Sequence, residues 1–180
     1  MIRLFVGIPM PAGIRMRLSL MASGLPGARW TREESYHLTL RYIGEVDQGI
    51  ADDIDAVLGH INVEPFDITL SGISYFGKAK SARAVWAGIA RNDILIRLQH
   101  KIEIALQHVG LPAEERKYTP HVTLARLRGT PARRLEAYVA DHGALAAGPF
   151  QVNGFTLFSS FRSSSGAIYT REAQYELSDA

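Results

Sequence analysis

Two short stretches of this chain carry the same chemical parts: Ser35-Tyr36-His37-Leu38-Thr39-Leu40 and Tyr118-Thr119-Pro120-His121-Val122-Thr123-Leu124. Each holds a histidine and a threonine two residues apart, with an aliphatic residue between them and a leucine after. Residues i and i+2 of a β-strand point to the same face. The spacing therefore predicts that His37 and Thr39 share a face while Leu38 and Leu40 point into a core. The same parity groups His121 with Thr123 and buries Val122 and Leu124. An imidazole changes charge near neutral pH, and a hydroxyl beside it can donate to a developing negative charge. Two such pairs are parts for moving protons around an oxyanion.

The elements that must position these pairs can be read along the chain. Leu4–Ile8 reads as a strand. Pro11 opens a helix in which Ile14, Leu18, Met21 and Leu25 recur at helical spacing until Pro26-Gly27. A short strand over 29–31 leads to the first histidine strand, His37–Ile43, which Gly44 ends. Asp47 is a fitting N-cap for a second helix with Ile50, Ile54, Val57, Leu58 and Ile61 on one face. Residues 66–73 and 74–76 read as strands, 77–82 as a basic loop, and 83–90 as an apolar strand. Asn92 can cap a long helix through Leu95, Leu98, Ile102 and Leu106, closed by Gly110 and Pro112. Pro120 opens the second histidine strand, where a proline is tolerated and holds Thr119 extended. Thr130-Pro131 starts a short helix to about Val139, and 155–161 with 167–177 form a last hairpin.

An internal repeat runs through this order. Strand, helix, histidine strand, helix occurs from Leu4 and again from Arg83, which suggests two copies of one α+β unit. Packed about a pseudo-two-fold axis, such halves would turn both histidines to one groove.

Composition limits the alternatives. With 20 Lys+Arg against 18 Asp+Glu the net charge is only +2, less basic than expected of a protein that coats long nucleic acid. A single phosphorylated end needs only a local basic site. The chain has no cysteine, which excludes disulfides and thiolate chemistry. No apolar run approaches the roughly 20 residues of a membrane span. The apolar start is short and ends at Pro9, unlike a secretion signal, so a cytoplasmic protein is expected. A metal site competes poorly, because histidine ligands usually come with a third histidine or a carboxylate in a recognisable spacing. His60, His100, His108 and His142 read as solvated helix positions.

The chain also resembles the 2H phosphoesterase superfamily, named for its two His-x-Thr/Ser-x motifs. More narrowly, it looks like the RNA 2′,3′-cyclic phosphodiesterases, formerly called 2′-5′ RNA ligases (LigT-like). The resemblance rests on Arg3–Ile8, Ala28-Arg29-Trp30, His37–Val46, Val85–Gly88 and Tyr118–Arg126. It implies an α+β fold of two similar lobes of antiparallel sheet and helices facing a central groove, with residues 1–180 as one bilobal domain. It implies hydrolysis of 2′,3′-cyclic phosphate ends to 2′-phosphates, with His37 as proton donor, His121 as proton acceptor, and Thr39 and Thr123 beside them. No metal or other cofactor is expected; RNA ends or nucleotides carrying the cyclic phosphate are the expected partners, and the protein is expected to be a monomer.

Two arginines compete for the phosphate. Parity puts Arg41 on the face of His37 and Thr39. The resemblance favours Arg126, which strict alternation from His121 turns away unless a bulge or the strand's end intervenes. Tyr118 could stack on a base or simply pack. Two other readings remain open: a non-catalytic RNA-end or nucleotide-binding module, and a phosphodiesterase or ligase acting on 2′-5′ linkages or another cyclic phosphate.

Overall fold

Alternating apolar and polar residues build strands that pair only antiparallel. The computed structural model describes residues 1–179. Its elements are β1 (Ile2–Pro9), α1 (Ala12–Ser19), β2 (Ala28–Trp30), β3 (His37–Val46), α2 (Gln48–Leu58), β4 (Phe66–Ser74) and β5 (Ala84–Ile89). They continue with α3 (Asp93–His108), β6 (His121–Leu127), α4 (Ala132–His142), β7 (Ala146–Val152), β8 (Gly154–Ser163) and β9 (Gly166–Glu176). All nine strands join one sheet in the order β7-β4-β5-β6-β3-β1-β8-β9, with β2 beside β6.

That order reads outward in both directions from the two histidine strands. β6 is followed by β5, β4 and β7 on one side, and β3 by β1, β8 and β9 on the other. Each histidine strand pairs with the strand that opens its own repeat. The outer strands are exchanged: β4 follows the first unit in sequence but lies in the second half, and β8 does the reverse. Neither half of the sheet is therefore one continuous stretch of chain.

Leu38, Leu40, Val122 and Leu124 are all at most 2% exposed, at the centre of a single hydrophobic cluster. Ile54 and Leu58 of α2 and Leu95, Leu98, Ile102 and Leu106 of α3 belong to the same cluster. Both helices start as their sequences dictate. Asp47 Oδ1 accepts from Ile50 N at 2.9 Å, and Asn92 Oδ1 accepts from Leu95 N at 2.9 Å, satisfying amides that a helix start leaves unpaired. Among the described residues, no helix is long and apolar enough to cross a membrane.

The extent of the first helix is corrected, and two further features were not foreseen. α1 stops at Ser19, well short of Pro26. Ser19 Oγ donates back to Met16 O at 2.7 Å and the chain turns through Gly24 at φ +80°, a local bond that competes with helix continuation. β7, a stretch that the sequence pattern assigns to no element, carries Gly148-Pro149 and pairs with β4 at the sheet edge, where a proline is tolerated. The glycines of Phe5-Val6-Gly7-Ile8 and Trp86-Ala87-Gly88-Ile89 are not equivalent: Gly7 lies opposite Thr39, whereas Gly88 lies opposite His121. Each is needed where it stands. A Cβ on Gly7 would meet Leu38 O at 2.9 Å, and one on Gly88 would meet Ser71 O at 2.6 Å.

Leu124→Ala is expected to lower stability by roughly 2–5 kcal/mol in urea denaturation, because the enclosed site cannot collapse onto the lost side chain. A change below about 0.5 kcal/mol would place Leu124 outside the core.

Candidate active site

β3 and β6 meet at one recorded residue pair, Leu38 opposite Val122. In an antiparallel register this sets His37 across from Thr123 and Thr39 across from His121, all four on the face away from the buried leucines. Beyond that point the strands separate. β2 takes the edge of β6 at Ala125–Leu127, and Thr31 binds β6 with its amide to Leu124 O at 2.8 Å and its hydroxyl to Thr123 O at 2.9 Å. On the other strand the Tyr118 hydroxyl donates to Thr39 O at 2.9 Å.

Both imidazoles are held in one tautomer. His37 Nδ1 lies 2.8 Å from Ser35 O, and His121 Nδ1 lies 2.7 Å from Thr119 O. A carbonyl only accepts, so each Nδ1 carries the proton and each Nε2 is left for chemistry. His37 Nε2 meets Thr39 Oγ1 at 3.0 Å. Among the described residues, His121 Nε2 has no recorded partner.

Aromatic rings enclose the histidines on both sides. Phe5, Tyr169 and Phe158 centre 4.8, 5.2 and 6.0 Å from His37, while Phe76 and Trp86 lie 5.2 and 5.3 Å from His121. Burial is the main reason His37 is held below its ordinary value; the charges of His121 and Arg126 lower it further, against the opposing bond to Ser35. His121 is lowered by burial and by Arg126, against its bond to Thr119. His37 is the more deeply enclosed of the two and feels the charge of the other. Both are therefore harder to protonate in the free protein than a solvated imidazole.

The arginines are sorted by a pair of matching bulges. On β6, Thr123 lies opposite Trp86 but Ala125 lies opposite Val85, so Leu124 is the extra residue. One extra residue reverses the parity downstream. Arg126 therefore lies opposite Ala84 on the histidine face, where it is exposed. Its charge bears on both imidazoles. On β3 the same shift falls between Thr39 and Arg41. Here it overturns the parity reading: Arg41 is turned away from His37 into the helix layer. Its Nε donates to Glu103 Oε2 at 2.6 Å, and its other nitrogens donate to the Tyr42 and Pro112 carbonyls. Burial works against ionising Glu103, but Arg41, the Glu114 amide and Gln107 outweigh it and hold the carboxyl below its ordinary value.

For Tyr118 the structure shows the packed arrangement. The side chain packs against the core and donates its hydroxyl to Thr39 O, and burial pushes its phenol far up. The rings that face the histidines are ones the sequence reading did not select: Phe5, Trp86, Phe76, Phe158 and Tyr169. Parity would have found Trp86, two residues before Gly88 on a strand beside β6. Tyr42 was also missed. It lies opposite Phe5, is 51% exposed, and occupies in β3 the place that Arg126 occupies in β6. Among the described residues, no group of three or more His, Cys, Asp or Glu could hold a metal ion.

A sheet of exchanged halves that brings two His-x-Thr pairs together defines a two-histidine phosphoesterase arrangement. The family model described as the 2′-5′ RNA ligase superfamily matches residues 22–164, and the chain belongs to that superfamily. An RNA 2′,3′-cyclic phosphodiesterase of Aeropyrum pernix is 35% identical over 86% of this chain and 89% of its own length. One of Thermotoga maritima is 32% identical over 97% of this chain and 96% of its own. Among solved structures, Escherichia coli LigT complexed with 3′-AMP superposes with a TM-score of 0.79 at 26% identity, covering 99% of both chains.

Removing Arg41 leaves the part-buried Glu103 carboxylate with only the Glu114 amide and Gln107 as partners. Arg41→Ala is therefore expected to lower stability by about 1.5–3 kcal/mol, read by chemical denaturation. Loss of activity with unchanged stability would return Arg41 to the histidine face.

His37 gives a pH-dependent effect. Its pKa is lowered on folding, so between the folded value and 6.5 the unfolded chain binds more protons. Stability therefore falls as pH drops through that window. His37→Gln is expected to flatten this loss between about pH 7 and 5 in denaturation curves. Identical curves for the two proteins would contradict the buried neutral state.

Proposed function

We propose that this protein is an RNA 2′,3′-cyclic phosphodiesterase that opens cyclic phosphate ends to 2′-phosphates by acid–base catalysis on two histidines. The observation that carries the reading is the antiparallel pairing of the two His-Thr strands, with both Nε2 atoms left available by their Nδ1 bonds. Residues 1–180 act as a single bilobal unit, a cytoplasmic monomer working in RNA processing on RNA ends or nucleotides.

Water attacks phosphorus in line with the departing ribose oxygen. His121, whose Nε2 lone pair is unoccupied, takes the proton from water. The P–O3′ bond breaks, and O3′ receives the proton of His37. The histidines end with their protonation states exchanged and reset through solvent. Thr39 and Thr123 donate to the non-bridging oxygens, and Arg126 neutralises the charge that builds there. In the free protein His37 resists protonation, so its role as acid depends on the substrate. A phosphodiester anion beside Nε2 stabilises the proton at that site.

His37→Ala and His121→Ala should each fold and lose on the order of 10²–10⁴-fold in turnover of adenosine 2′,3′-cyclic phosphate. The product should be 2′-AMP by chromatography, with activity surviving EDTA. Wild-type rates in both variants would sink the catalytic reading, and tight binding without turnover would favour an RNA-end binding module. Because both histidines are lowered from 6.5 in the free protein, kcat/KM should peak below that pH. The falling limb of kcat should move to higher pH, since it reports the substrate-bound state. A kcat/KM optimum above pH 8 would contradict the assignment.

A further inference from the structure

The β7–β8 connection carries the chain from one half of the sheet to the other. It runs beside the turn from β1 into α1, and together with the end of β9 these segments wall a cavity of about 480 Å³, a size that suits a small molecule. No residue of β3 or β6 lines it, although Pro9 and Arg171 border both this cavity and the space beside His37. β1 stands between: Gly7 lies opposite Thr156 on one edge and opposite Thr39 on the other.

Polar groups at this cavity lack partners within the chain. Arg15 lines it, and its Nε is buried with no hydrogen-bond partner. Thr156 lines it too and is only 4% exposed, and among the described residues its hydroxyl has no recorded partner. α1 starts after Pro11, which gives no side-chain cap, and no acidic residue lies in its first turn. The amides that a helix start leaves unpaired therefore have no side-chain acceptor. Buried polar groups are nearly always satisfied, so groups left over at one cavity point to a molecule outside the chain. Arg15 sits one turn along α1 from Pro11 and Ala12, and helical side chains lean towards the N-terminus. Its guanidinium and the positive end of the helix dipole therefore act on the same space. Arg171 adds a second cation and Glu176 a single anion, and among the described residues none of the three charges has a recorded ion pair. Phe150 and Phe155 supply apolar wall.

We propose that this cavity binds a small organic acid. The oxyanion lies on Arg15 and the start of α1, where an unoccupied Nε completes the two-pronged fork that a carboxylate or phosphate accepts. A hydrogen-bonding group beside it meets Thr156 and Gln174, which face each other across β8 and β9, and the apolar body lies against Phe150 and Phe155. The site is separate from the histidine pair and stands whether or not the protein opens cyclic phosphates.

The whole chain, isotope-labelled, is titrated by NMR with benzoate, with phenyl phosphate and with neutral benzamide. A fragment of this size on one guanidinium should saturate with a Kd near about 1 mM. Shifts are expected at Arg15 Nε–H and at the amides of Ala12, Gly13 and Thr156, and benzamide should cause none. Saturation by one acid alone assigns the carboxylate or the phosphate. Arg15→Gln should weaken binding about 10- to 150-fold, the weight of a hydrogen bond to a charged group. Arg17→Gln, the same charge change at an exposed position of the same helix, should bind as wild type. Thr156→Val should weaken binding about 2- to 10-fold and keep the urea midpoint, because the hydroxyl it removes has no partner in the unliganded protein.

No saturable shift at those groups with either acid up to about 20 mM would overturn the site. So would wild-type affinity in Arg15→Gln, or shifts confined to His37, His121 and Arg126, since the acid would then lie in the histidine groove. Arg15→Lys keeps the charge and lacks the fork. It should fold and still bind more weakly, and wild-type affinity in that variant would also overturn the site.

Discussion

Everything at this site depends on how briefly β3 and β6 touch. A long ladder between them would have closed the sheet flat and filled the space with side chains. One paired position, Leu38 opposite Val122, is enough to fix the register of two His-Thr pairs. The divergence beyond it opens the face they share. Thr31 and Tyr118 occupy the carbonyls that divergence would leave unpaired, one on each strand. Buried or half-buried carbonyls without partners are costly, so these two contacts allow the strands to part.

The second constraint is the pair of bulges. Each histidine strand gains one residue after its threonine, and parity reverses there. In β6 the reversal brings Arg126 to the histidines. In β3 the same reversal sends Arg41 into the helix layer and brings Tyr42 forward. The bulges are alike but the residues beyond them differ, so a nearly symmetric frame carries an asymmetric site. Arg126 comes forward on the His121 strand and Tyr42 on the His37 strand, and a cavity lies beside His37.

Enclosure by aromatic rings sets the electrostatics. Five rings around two imidazoles remove water that would stabilise their charged forms, and Arg126 adds repulsion. The free protein thus holds its proton carriers close to neutral. An anionic substrate supplies the charge that makes protonation favourable, which ties protonation to binding.

The sequence by itself determined the chemistry and the local elements. The two His-x-Thr motifs, their strand parity, the inward Leu38, Leu40, Val122 and Leu124, and the Asp47 and Asn92 caps depend on contacts within a few residues. They were legible for that reason. The duplication was legible too in the repeated order of strand, helix, histidine strand and helix, though not its register, because Gly7 and Gly88 face different partners. The tertiary structure alone decided the exchange of β4 and β8 between halves, the edge pairing of β7, and the rings around each histidine. It also decided which arginine serves the site. A bulge adds one residue against a partner strand distant in sequence, so strict alternation along β3 could not reveal that Arg41 faces Glu103. The register between strands is a property of pairing, and pairing is settled by the whole core.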